Sequence, residues 1–160
     1  MKLENPARRD YSSEERRDRA FLRAAAHIRG LWEEKGSSDT RILDAFFLPD
    51  EFTVVGRSHS YNGEGRREHV VPRLVIIKEC HAMLESGEND QAIAKFIRDH
   101  VRIVLISKEE QETLDRRDQF ALKQIMPEGW AFGGNTYARL QAANVLWAWT
   151  HSTMKDETVT

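Results

Sequence analysis

The sequence predicts an α+β fold, mostly helical, in which a small antiparallel β-hairpin or sheet is packed by N- and C-terminal helices. Three observations carry this. Apolar residues recur at helical spacing in several stretches, the first being Phe21, Ala24, Ala25, Ile28, Leu31 and Trp32. Two short β-branched runs, Phe52 to Val55 and Val101 to Ile106, read as strands. Between them, Asn62-Gly63 is the strongest hairpin signal in the chain.

Each element has its own local signal. Ser12 and Glu15 have capping-box spacing and open a helix that Lys35-Gly36 closes. Thr40 to Phe47 reads as a short helix stopped by Pro49. Gly56 to Gly65 is turn-rich, and a hairpin there sets Ser58 to Tyr61 opposite Arg66 to Val70. Pro72 suits the first turn of a helix through about Leu84, closed by Ser86-Gly87. Asn89 caps a helix to about Asp99, and the run to Ile106 is a buried strand. Ser107 and Glu110 form a second capping box, opening a helix to about Arg117. Loops follow at Met126 to Trp130 and Gly133 to Asn135, and Thr136 caps a last amphipathic helix to about Trp149.

With 160 residues, the chain is read as one globular domain over 1–150 and a frayed tail over 151–160. No apolar run reaches the roughly 18 to 20 residues of a membrane span. One cysteine, Cys80, leaves no pair for a disulfide or a zinc site, so a cytoplasmic location is expected. Cys80 reads as a small buried hydrophobe. A net charge of −2 excludes a bulk polycation. Charge is uneven, however: Arg57, Arg66, Arg67, Arg73 and Lys78 form a basic strip, and Glu109, Glu110, Glu112, Asp115 and Asp118 an acidic one. The plain reading of both is a solvated face, with contact between them the alternative.

The residues that best carry chemistry are Glu68 and His69. Histidine titrates near working pH and so suits a general base. Neighbouring strand positions point to opposite faces, so the two can act together only where the strand is bent. Glu68-His69-Val70-Val71-Pro72 resembles the acidic residue, histidine, aliphatic pair and proline that open the motif of HNH nucleases, a ββα-metal fold. The strand-to-helix run Val101 to Glu110 resembles that motif's closing half, so the likeness spans about residues 61–116. It implies His69 as the base that activates water, and Glu68 as a ligand of a divalent metal. Glu109 or Glu110 stands where the closing ligand is expected, and Asp99 or His100 falls nearest the orienting asparagine. Oxygen ligands suit magnesium or manganese. Arg66, Arg67 and Arg73 would then contact the nucleic-acid backbone.

Each of these residues also has a plainer reading. Glu68 can pair with an arginine, and the capping box alone accounts for Glu110. His81 and His100 fall at helical spacing with core residues. Trp147 and Trp149 cannot share one helix face, since two positions differ by about 200°. The expected function is therefore an HNH-like, metal-dependent phosphodiesterase acting on DNA or RNA, or a degenerate relative that binds without cutting. The alternative is a non-enzymatic interaction or inhibitor module, of phage or mobile-element type, that meets a protein partner through its helical surfaces.

Overall fold

The most apolar strand takes the middle of the sheet. In the computed structural model, which describes residues 1–150, the sheet has strand order β2-β3-β1-β4. The tail expected at 151–160 lies outside the described residues. Helix α1 (Ser13–Lys35) opens the fold. Its capping box is formed, with Glu15 N donating to Ser12 Oγ at 3.1 Å and Ser12 N to Glu15 Oε2 at 2.8 Å. Its buried face, Ala20, Phe21, Ala24, Ala25 and Ile28, packs chiefly on α4.

The helix expected over Thr40 to Phe47 contracts to a 3-10 turn at Thr40–Leu43. Ile42 and Leu43 reach the core, but Phe46 is 89% exposed and Phe47 is exposed too, so the next turn has no buried face to hold it as helix. Pro49 then opens one helical turn, α2 (Asp50–Thr53), which takes the first half of the expected strand; β1 runs Val54–Ser58.

The expected hairpin is not made. β2 (Arg66–His69) does not pair with β1, because β3 (Ile103–Ile106) lies between them, parallel to β1 and antiparallel to β2. The apolar content of β3 explains the choice: Ile103, Val104 and Ile106 are all buried, and a strand buried on both faces needs a neighbour on each edge. Asn62 still makes a turn, its Oδ1 accepting from Glu64 N at 3.1 Å. Turn chemistry sets the bend, and burial sets the partner.

Between β2 and β3 run α3 (Arg73–Glu85) and α4 (Asp90–His100). Pro72 precedes the first residue of α3, and Asn89 Oδ1 caps α4 through Ala92 N at 2.9 Å. His81 lies at the margin of the core as expected, 2.7 Å from Ser38 Oγ and stacked on Trp32. After β3 comes α5 (Lys108–Asp115), with the second capping box formed.

The last expected helix is the largest departure. Only α6 (Ala138–Ala142) is helical; Asn144 takes a positive φ of 55°, and β4 (Trp147–Trp149) joins the sheet edge against β1. Asparagine tolerates the left-handed region, so it stops the helix there. Beyond it burial alternates: Val145, Trp147 and Trp149 are covered while Leu146 and Ala148 are exposed. The two tryptophans thus share a strand face and close on Tyr137, with ring centroids 4.8 to 5.7 Å apart. Among the described residues, no helix is long and apolar enough to cross a membrane.

Candidate functional site

β2 is regular through His69, each residue in register with β3 from Arg66↔Ile106 to His69↔Ile103. Alternation therefore sends Arg66 and Glu68 to one face, and Arg67 and His69 to the other. The bend needed for Glu68 and His69 to act on one metal-bound water is absent.

On the first face, Glu68 is buried in an ion-pair network. Arg139 Nη1 donates to Glu68 Oε1 at 2.6 Å, and Arg66 Nε pairs with Glu68 Oε2. Arg66 also forms a two-pronged pair with Asp115 of α5, at 2.6 and 2.8 Å. The basic and acidic strips do meet here. Arg139 is 0% exposed, yet all of its donors are used. Nε and Nη2 donate to the Leu122 carbonyl, Nη2 also reaches the Lys123 carbonyl at 3.3 Å, and Nη1 adds the His69 carbonyl at 2.7 Å. A guanidinium has five N–H groups, and this one leaves none idle. It ties the chain around 122–123 to the end of β2.

On the second face, His69 is half-buried, and its Nδ1 is buried without a hydrogen-bond partner. Burial first, and then the positive charges of Arg73, Arg67, Arg139 and Arg66, push its pKa down to about 3. The imidazole is neutral at any working pH, but it is a weak base. A cavity of about 210 Å³ opens beside it, lined by Thr40, Arg67, Arg73, Lys123 and Gln124 and reached also by the Arg66–Glu68 pair. Arg67 pairs with Asp50 and Arg73 with Asp44, both at partly exposed positions. Lys123 is exposed and has no carboxylate partner among the described residues.

The other expected ligands do not join Glu68. Glu110 Oε1 accepts from Ser107 N at 2.9 Å and from Ser58 Oγ at 2.5 Å, so it ties α5 to β1. Glu109 is exposed on α5. His100 does not orient His69: its Nδ1 donates to the Phe96 carbonyl at 2.8 Å, and its ring packs on Phe96 and Phe132. Among the described residues, no group of three His, Cys, Asp or Glu side chains is placed to hold a metal ion. The donors present thus do not fit the divalent metal that the HNH resemblance implies, since Glu68 is already committed to two arginines.

Sequence reasoning missed Arg139 and Lys123. A buried glutamate must find a cation, but nothing local to Glu68 says which one. No family model matches the chain, and neither a curated protein nor a solved structure does. The resemblance of residues 61–116 to HNH nucleases therefore rests on the motif itself.

Proposed function

We propose that the chain is a nucleic-acid-binding relative of the HNH type, which holds backbone phosphate at the cavity beside His69 and does not cut it. The observation that carries this reading is the set of charges at His69: beside burial, the largest influence on its ring, Arg73, Arg67, Arg139 and Arg66 each disfavour the imidazolium. The part of that effect which comes from positive charge also attracts an anion. Lys123 brings a further cation to the cavity mouth. The pairs of Arg67 and Arg73 lie at partly exposed positions, where ion pairs contribute only about 0 to 1 kcal/mol, so phosphate can displace the carboxylates. Binding without cleavage follows from the weak base at His69 and from the commitment of Glu68 to Arg139 and Arg66.

The test is fluorescence anisotropy with labelled DNA and RNA, with magnesium or manganese present and the strands checked on a gel. The expected result is intact strands and an affinity that falls steeply between about 50 and 200 mM salt. Arg67→Ala and Arg73→Ala should each weaken binding and flatten the salt slope by about one. No binding at low salt overturns the reading in favour of a protein-interaction module. Metal-dependent cleavage that disappears in His69→Ala overturns it in favour of an active phosphodiesterase.

A further inference from the structure

A second cavity, of about 620 Å³, lies between the C-terminal end of α4 and the loop at 133–137, and it shares no lining residue with the His69 site. Its volume is in the range of small-molecule pockets, about 300 to 1,000 Å³. Lys95, Arg98 and Arg102 line it against a single carboxylate, Asp99. That carboxylate is shared. Lys95 Nζ lies 2.6 Å from it, whereas Arg98 Nε is 3.8 Å away, and Arg98 reaches Asp18 only at 3.5 Å. Arg102 Nε is turned to the Asp99 backbone carbonyl instead, at 3.2 Å. The Arg98 guanidinium therefore holds its carboxylates loosely and can take an anion by the strong forked pairing that arginine offers phosphate.

Two rings, those of His100 and Tyr137, also line it. His100 is wedged against Phe96 and Phe132. Because a carbonyl can only accept, the bond to Phe96 fixes the His100 proton on Nδ1 and leaves Nε2 as an acceptor. Tyr137 Oη also lines the cavity and is enclosed, and the Arg102 side chain acts on it both as a charge and as a hydrogen-bond partner. Lining cations together with two rings, one offering an acceptor at His100 and the other a hydroxyl at Tyr137, match an anion joined to a flat, hydrogen-bonding ring. We infer that this cleft binds a nucleoside monophosphate, with the phosphate on Lys95 and Arg98 and the base towards His100 and Tyr137.

The experiment is titration calorimetry of the full chain with AMP, GMP, CMP and UMP, alongside adenosine and inorganic phosphate. The expected result is one-to-one binding of at least one mononucleotide with Kd below about 1 mM, tighter than either fragment. Lys95→Ala with Arg98→Ala should weaken it at least about tenfold. Both are surface residues whose removal the fold tolerates, and circular dichroism checks this. Arg67→Ala, which disables the His69 cavity, should leave mononucleotide binding unchanged, so failure here and failure of nucleic-acid binding are read separately. Silence with all four nucleotides overturns the inference, as does phosphate alone binding equally well. Unchanged affinity in the double variant, or loss in Arg67→Ala, overturns it too.

Discussion

Arg139 and Glu68, 71 residues apart, meet as a buried ion pair 2.6 Å long, and through it the last helix holds both the end of β2 and the chain at 122–123. Asp115 and Arg66 complete the network, so two carboxylates face two guanidinium groups largely out of water. The metal-ligand role expected of Glu68 competes with this bond. Each of the carboxylate oxygens is held by an arginine.

Removing one partner leaves the other charged and buried. Glu68→Gln or Arg139→Met should therefore each destabilise by about 3 to 5 kcal/mol in urea unfolding. Arg139→Lys should lose most of that as well, because an ammonium cannot reach both the Glu68 carboxylate and the carbonyls of Leu122 and Lys123. A double variant, Glu68→Met with Arg139→Met, should recover a large part of the loss. Additive losses would show that the two residues are not coupled.

His69 makes stability depend on pH. Its pKa falls from the ordinary 6.5 to about 3 on folding, so between those values the unfolded chain binds a proton that the folded chain refuses. Stability is full above the ordinary value and declines as pH falls towards the folded one, by on the order of a few kcal/mol at full extent. Urea midpoints measured at falling pH should drop in the native protein. The drop should shrink in His69→Gln, which cannot titrate. Parallel curves for the two proteins would contradict the assignment.

Gly56 is fixed by close approach. A Cβ there would lie 2.5 Å from both the Ala148 carbonyl oxygen and the Trp147 ring. Gly56→Ala must push β4 off β1, at a cost of at least about 1 to 3 kcal/mol. Near-ultraviolet circular dichroism should show the Tyr137, Trp147 and Trp149 cluster loosening along with the fall in Tm. An unchanged aromatic spectrum would contradict the packing.

Cys80 is 0% exposed, and burial pushes its thiol up to about 12. A thiol reagent should leave it unmodified in the native protein and label it once denaturant is added. Rapid native labelling would show that α3 opens readily.

Those signals that act within a turn were legible in the sequence. Ser12 with Glu15, Ser107 with Glu110, and Asn89 each cap a helix through a contact three residues away, and each was readable. The α+β class and the buried strand ending at Ile106 were readable for the same reason, since periodicity is local. What could not be read was choice of partner. Asn62-Gly63 announced a turn but not which strand lay beyond it. The Val145, Trp147 and Trp149 alternation is a period of two, yet the helical start at Ala138 masked it. Glu68 needed a cation, and the cation came from 71 residues away. That Glu68 and His69 would diverge was expected for a straight strand, and β2 is straight.

Burial and the positive charges of four arginines keep His69 neutral, and the proposed role of that charge is to draw phosphate to the ring. The most direct test of both is nuclear magnetic resonance of the His69 ring across about pH 5 to 8, with and without a short oligonucleotide. The expected result is a ring signal that does not titrate in the free protein and that shifts saturably as the oligonucleotide is added. A free-protein titration midpoint near the ordinary 6.5 would contradict the field at this site. A ring signal untouched by saturating oligonucleotide would remove the site from nucleic-acid binding.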